Sequence, residues 1–121
     1  HPVTASSLNG LGLLYFNMGD YTRAEFLIKR AIKIREKALG PDHPDVAESL
    51  NNIAGVYLKT GDYTRAEPLN QRALKIVEKV LGPEHRDTAK SLNNLAGLYY
   101  KMGDYARAES SYDKIRTCRD D

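Results

Sequence analysis

The chain has 121 residues, of which 18 are Lys or Arg and 16 are Asp or Glu, so its formal net charge is +2. This length suits one domain, and a hydrophobic fraction of 41% is enough for a core built up layer by layer. The near balance of charges does not indicate nucleic acid or an anionic membrane surface as a partner. No apolar run approaches the roughly 18 residues that span a bilayer, and no secretory leader precedes His1. We therefore expect a soluble protein.

Cysteine usage predicts a reducing, cytoplasmic environment. Cys118 is the only cysteine, which excludes an intramolecular disulfide and a zinc site with paired cysteines. The chain begins with His1 inside a phrase that recurs downstream. This indicates a fragment of a longer protein, so we expect further repeats or domains beyond it.

A repeat of 42 residues organises the whole chain. His1-Pro2, His43-Pro44 and His85-Arg86 begin matching phrases that are 42 residues apart. The phrase Gly-Asp-Tyr recurs in register at 19–21, 61–63 and 103–105, and Arg-Ala-Glu recurs at 23–25, 65–67 and 107–109. We therefore divide the chain into three units, residues 1–42, 43–84 and 85–121, the third of which is irregular or truncated.

Each unit is predicted to fold as two antiparallel helices. In the middle unit, apolar residues recur at three- and four-residue steps over 46–57 and again over 63–80. Pro44 suits the first turn of the first helix, Gly61 suits its end, and Asp62 suits the cap of the second helix. One pair leaves an apolar side bare, so neighbouring pairs must stack. The prediction is an all-α fold, a right-handed α-solenoid of about six helices.

The last helix of the third unit differs from its counterparts. We place it at about 106–119, which makes it shorter than the second helix of the middle unit. It is also more polar, because Ser110, Ser111 and Arg116 stand where the middle unit has Pro68, Leu69 and Leu74. This composition is typical of a cap or of a truncated end.

The repeated positions resemble the tetratricopeptide repeat family over essentially the whole chain. The family pattern of large, apolar and small residues, then Tyr, Gly-x-Tyr and two Ala is met by Leu50, Ile53, Ala54, Tyr57, Gly61, Tyr63, Ala66 and Ala73. The first unit matches it with Leu8, Leu11, Gly12, Tyr15, Gly19, Tyr21, Ala24 and Ala31. The third unit matches it with Leu92, Leu95, Ala96, Tyr99, Gly103, Tyr105 and Ala108, and departs at Ile115.

The length of the unit indicates which members of the family the chain resembles. It exceeds the usual family repeat of about 34 residues. With phrases such as Ser-Leu-Asn-Asn at 49–52 and 91–94, it is similar to kinesin light chain repeats and their bacterial relatives. The resemblance implies a scaffold or adaptor that binds a polypeptide in a concave groove lined by the first helix of each pair.

A second stripe with helical spacing runs along each first helix, beside its core face. Asn is a mediocre helix former, so repeated Asn in mid-helix indicates a local reason such as binding. Its amide pairs with both the C=O and the N–H of an extended peptide. The alternative for Asn52 and Asn94 is a bond to a neighbouring helix or to water. The candidate peptide-binding residues are Asn9, Leu13, Phe16, Asn17, Asn51, Asn52, Leu58, Lys59, Lys90, Asn93, Asn94, Tyr100 and Lys101.

The stripe also predicts the chemistry of the ligand. Lys59, Lys90 and Lys101 lie on it, so the groove should become more basic toward the C-terminus and favour an acidic ligand; the alternative is that these are ordinary solvated lysines. Family members that hold a C-terminal carboxylate use a residue set of which only Asn52 and Lys90 are present here. An internal, extended segment of the partner is therefore favoured.

Other classes of function receive less support. The sequence has no nucleophile with a base at a plausible spacing, no Gly-rich phosphate loop and no metalloprotease motif, so we expect no enzyme activity and no cofactor. The histidines at 1, 43 and 85 lie in different units, too far apart to share one metal ion. Self-assembly through end-to-end stacking of uncapped units is the main alternative. RNA binding is less favoured, because the charge is mixed.

Overall fold

The structure, a computed structural model, describes the backbone of residues 2–120 and the side chains of residues 4–117. His1 and the side chain of Cys118, both considered above, lie outside the described residues. Within the described range the chain is all helical and has no strand. The helices are α1 (Pro2–Asn17), α2 (Tyr21–Leu39), α3 (Pro44–Lys59), α4 (Tyr63–Leu81), α5 (Arg86–Lys101) and α6 (Tyr105–Asp120).

The residues that the repeat predicts as helix ends do mark the ends. Pro44 begins α3, and the His43 side chain caps this helix by accepting the backbone N–H of Asp45 at 3.0 Å. Gly61 takes a positive φ of 81° in the turn between α3 and α4, a conformation that favours glycine. The Asp62 carboxylate then caps α4 and accepts the backbone N–H of Arg65 at 3.2 Å. These predicted boundaries are confirmed.

Consecutive helices pack as the pairs α1/α2, α3/α4 and α5/α6, and the pairs stack through α2 on α3 and α4 on α5. The larger hydrophobic cluster of the described residues runs from Ala24 in α2 to Leu98 in α5 and includes most of the apolar face of α3. A second cluster joins Leu95 and Tyr99 of α5 to Ala108 of α6. The predicted all-α solenoid of helix pairs is confirmed. The last helix, α6, is described over 16 residues as far as Asp120, and the irregular or truncated third unit stays a prediction. None of the helices in the described part of the chain is long and apolar enough to cross a membrane.

Small side chains let the helices of a pair approach closely. A Cβ atom built on Gly12 of α1 would lie 2.7 Å from Cγ1 of Ile28 and 3.3 Å from the backbone oxygen of Ala24, both in α2. The counterparts of Gly12 in the other first helices are Ala54 and Ala96, which are fully buried. The helices of the first pair thus lie closer together than a Cβ atom at position 12 would allow, because side-chain and backbone atoms of α2 contact the backbone of α1.

Replacing Gly12 with Ala should therefore destabilise the protein. We expect the free energy of unfolding to fall by about 1 kcal/mol or more, because overpacking outweighs the gain in helix propensity. Gly10 of the same helix is the matched control, since a Cβ built on it meets nothing within 4 Å. Gly10→Ala should raise the stability by about 0.5–1 kcal/mol. Urea denaturation measures both, and a Gly12→Ala variant as stable as its parent would contradict the close approach.

Candidate binding groove

An open groove with a volume of about 320 Å³ runs across the first helices of the three pairs. Residues of α1, α3 and α5 form its walls, and two residues of α4, Asn70 and Val77, also line it. It brings together seven of the residues that the sequence predicts as peptide contacts: Leu13, Phe16, Asn51, Asn52, Leu58, Lys90 and Asn94. These seven residues of the predicted stripe thus form one continuous surface.

The other predicted residues do not line this groove. Asn9 is 4% exposed and lies between the first two pairs. Tyr100 is 60% exposed and packs edge-on against Tyr105, with ring centroids 5.4 Å apart. The remaining ones are exposed side chains outside the groove: Asn17, Lys59, Asn93 and Lys101. A role of these residues in peptide binding stays a prediction.

The charges that line the groove are mixed. Of the three lysines that predicted a basic surface, Lys90 is the one that lines it. Carboxylates of Asp45, Glu48 and Asp87 line it as well, and none of the three is among the predicted peptide-binding residues. The acidic character predicted for the ligand therefore gains no support from the lining and stays a prediction.

Between the first and second helix pairs lies a buried polar contact, here called the first junction. Arg35 of α2 is 5% exposed. Its Nη1 donates to the backbone oxygen of Asp45 at 2.9 Å, to Oε1 of Glu48 at 3.2 Å and to Oγ of Ser49 at 2.9 Å. Its Nη2 donates to Oγ of Ser6 at 3.3 Å. A guanidinium thus joins α2 to α1 and α3, and the Glu48 carboxylate balances its charge.

Asn9 completes the first junction. Its Oδ1 accepts hydrogen bonds from Oγ of Ser49 at 3.1 Å and from Nδ2 of Asn52 at 3.3 Å, and its Nδ2 donates to Glu48 at 3.4 Å. The side chain of Asn9 is therefore engaged within the protein. Asn52 lines the groove but gives one of its amide hydrogens to Asn9, which is the bond to a neighbouring helix that the alternative reading foresaw.

The contact between the second and third pairs, here called the second junction, has different residues at the repeat-equivalent positions. Val77 stands where α2 has Arg35, and Lys90 stands where α3 has Glu48. Nδ2 of Asn51 donates to Oγ of Ser91 at 3.1 Å, which links α3 to α5. No guanidinium of the described side chains fills this junction, and the groove extends into it.

Two buried carbonyl oxygens at the second junction have no hydrogen-bond partner among the described residues, Oδ1 of Asn51 and Oδ1 of Asn70. Asn70 is 4% exposed and takes the repeat position of Ile28 in α2. Both asparagines line the groove. Sequence reasoning missed Asn70 and Val77 because they lie on a second helix. The sequence signal for them is a difference from the first unit, which has the apolar Ile28 and the basic Arg35 at these repeat positions.

Burying an amide without a partner is costly, so Asn70→Leu should stabilise the isolated protein. We expect the free energy of unfolding to rise by about 1 kcal/mol or more, since leucine has a similar size and leaves no polar group unpaired. Urea denaturation gives the value. The control is Asn93→Leu, an exposed site where a change within about 0.5 kcal/mol is expected. A loss of stability in Asn70→Leu would show that the Asn70 amide is satisfied in the native protein.

The histidines of the described chain serve helix ends. Nδ1 of His85 accepts the backbone N–H of Asp87 at 3.0 Å and repeats the cap that His43 forms on α3. Among the described residues, no group of three His, Cys, Asp or Glu side chains is placed to hold a metal ion.

Stacked helix pairs with a groove along their first helices define the class of the protein, a helical-repeat solenoid. A family model described as Tetratricopeptide repeat matches residues 3–76 and, in an overlapping match, residues 45–121. The chain belongs to the tetratricopeptide repeat family. Members of this family are generally modules for protein–protein interaction rather than enzymes, so the chain is a scaffold module of this kind.

Solved structures agree with the repeat type. BtubC (BKLC) from P. vanneervenii superposes with a TM-score of 0.88 at 26% identity, over 95% of this chain and 46% of that one. A putative kinesin light chain with nearly identical TPR-like repeats from Podosopora anserina has a TM-score of 0.87 at 25% identity, over 98% of this chain and 56% of that one. The chain thus spans about half the length of these two structures. The predicted kinesin light chain-like type is confirmed.

More distant structures share the fold alone. The N-terminal domain of stress-induced protein-1 from C. elegans has a TM-score of 0.76 at 18% identity, over 99% of this chain and 87% of that one. A search of curated protein sequences found no significant match.

Proposed function

We propose that this scaffold module binds an extended, internal segment of another protein in the groove across α1, α3 and α5. The observation that carries the proposal is the convergence of polar amides and apolar side chains on one open surface. Asn94 is half-buried in the groove, and no hydrogen bond joins its amide to another described residue. An amide that is held in place but unused is suited to pair with the backbone of a ligand.

The groove also offers apolar contact. Leu13, Phe16 and Leu58 are half-buried side chains that line it. Phe16 is held by Tyr21, with ring centroids 5.6 Å apart. A bound segment that covers these side chains would remove apolar area from water, which supplies affinity that the hydrogen bonds alone do not give. The amides would then fix the direction and register of the segment.

The proposal does not specify the net charge of the bound segment. The sequence predicts an acidic segment, and Lys90 is the groove residue that would attract one. Asp45, Glu48 and Asp87 line the same groove, and their carboxylates would repel one. A screen of capped internal peptides should therefore contain acidic, neutral and basic members at matched apolar content, with free C-terminal peptides as a separate set.

Asn94→Ala tests the groove directly. For the peptides that bind, we expect the affinity to fall at least about tenfold, because a buried backbone-pairing amide is lost. Fluorescence anisotropy of labelled peptides measures the change. Lys75→Ala is the control, since Lys75 is exposed on α4 outside the groove and is not a predicted peptide contact, and this variant should bind as the parent does. Equal affinity in Asn94→Ala and the parent, or no binding peptide at all, would contradict the proposal.

One observation favours self-assembly as a second candidate function. Asn9 and Asn51 each bond a serine of the following pair, Ser49 and Ser91 respectively. Their counterpart Asn93 on the third pair is exposed, and so is Ser7, the counterpart of these serines on the first pair. The two ends of the described chain thus carry complementary halves of the same junction, which suits head-to-tail stacking of copies.

Sedimentation velocity at increasing protein concentration tests this stacking. Self-association predicts a weight-average mass that rises with concentration and a smaller rise in Ser7→Arg, which places a bulky charge in the new junction. A constant monomer mass over the whole range would contradict it.

A further inference from the structure

The two junctions differ in one respect that points to a ligand. At the first junction the protein supplies its own buried guanidinium, Arg35, which donates to acceptors on α1 and α3. At the second junction the equivalent residue is Val77, and no guanidinium among the described side chains takes the place of Arg35. Of the side chains that accept from Arg35, Glu48 is replaced by Lys90 at the second junction, and the other two have counterparts that can accept. Ser91 is the counterpart of Ser49, and Glu48 is the counterpart of Ser6.

Beyond these retained acceptors, the second junction has two that lack a donor. Oδ1 of Asn51 and Oδ1 of Asn70 are buried and without a hydrogen-bond partner among the described residues. Both residues line the groove, and Asn70 is 4% exposed. A carbonyl oxygen in such a place requires an N–H or O–H group, and leaving it unpaired is unfavourable. The second junction is therefore incomplete in the isolated chain.

We propose that an arginine side chain of the bound segment completes the second junction, with its guanidinium donating to the unpaired oxygens of Asn51 and Asn70. This rests on the proposed function, because the arginine belongs to the segment in the groove. A guanidinium has five N–H donors and no acceptor, so it matches a cluster of acceptors.

Charge and space are compatible with this occupant. The carboxylates of Asp45 and Asp87 line the groove and offset a positive charge, whereas that of Glu48 is already paired with Arg35. Lys90 is the one cation among the described lining residues. Lys90 is exposed, so its ammonium is solvated at the surface. The groove volume of about 320 Å³ is roughly ten times the volume of one water in the liquid. The groove as a whole is thus large enough to admit a planar guanidinium with part of its aliphatic stem.

The repeat itself supplies the variant that tests the proposal. Val77→Arg combined with Lys90→Glu gives the second junction the residues of the first, so the protein should fill the space with its own guanidinium. Asn70→Leu is the complementary change, which removes one of the two unpaired acceptors. Val80→Arg with Lys75→Glu is the matched control, because it alters the charge in the same way at two exposed positions of α4 outside the groove. Circular dichroism and thermal melting establish that each variant is folded.

The probes are four pools of capped, internal peptides with randomised flanks and a fixed central residue: arginine, citrulline, lysine or norleucine. For the parent we expect the arginine pool to bind at least about tenfold tighter than the norleucine pool, with citrulline and lysine between them. The ratio of arginine to norleucine affinity should fall to about one in Val77→Arg/Lys90→Glu and in Asn70→Leu. It should be unchanged in the Val80→Arg/Lys75→Glu control.

The outcomes separate this inference from the function on which it rests. If the pools bind with equal affinity, the arginine inference is overturned while the groove proposal stands. If no pool binds, the groove proposal fails, and a titration with N-methylguanidinium chloride decides the inference separately. Saturable shifts of the Asn51 and Asn70 side-chain amide signals in NMR spectra, absent in Val77→Arg/Lys90→Glu, would support a guanidinium site. Unshifted signals would overturn it.

Discussion

Each helix pair of this protein has an apolar side that it cannot bury by itself, and the architecture depends on how that side is covered. The second helix of one pair packs on the first helix of the next, as α2 does on α3 and α4 on α5. Because the same contact recurs after 42 residues, the first helices stand side by side and share one open surface. The groove is a consequence of stacking, and the amides that we propose as peptide contacts lie there because the opposite face of each first helix packs in the core.

The stacking contact also has to accommodate polar residues, and the two junctions do so differently. In the first, Arg35, Asn9 and Ser49 satisfy one another almost without solvent, so the junction is a closed structural element. In the second, an apolar Val77 and a polar Asn70 take the equivalent places, and two buried acceptors on residues that line the groove have no partner among the described residues. A difference between units at one repeat position thus changes the hydrogen bonding of the whole junction. Departures between repeats are, for this reason, more informative about binding than the positions that repeat.

Family membership and groove chemistry answer different questions about function. The tetratricopeptide repeat family accounts for a scaffold that holds another polypeptide, and the kinesin light chain-like structures account for the long unit. Neither specifies a ligand, since a fold that positions a groove does not choose what fills it. The specificity for a ligand depends on the lining residues, which are apolar side chains, amides, three carboxylates and one lysine.

The sequence by itself determined the repeat, the six helices with their caps, and the stripe along the first helices, because helix periodicity and capping act over three or four residues and are legible in one unit. It also placed Asn94 and Asn51 on the groove. Only the tertiary structure decided which amides are used within the protein, as Asn9 is by its hydrogen bond with Ser49. It also decided which stripe residues line the groove, and Lys59 and Lys101 do not. The reason is that the surroundings of a stripe residue come from the next helix pair, 40 or so residues away in the chain. The units differ there, so no local pattern reveals what stands opposite.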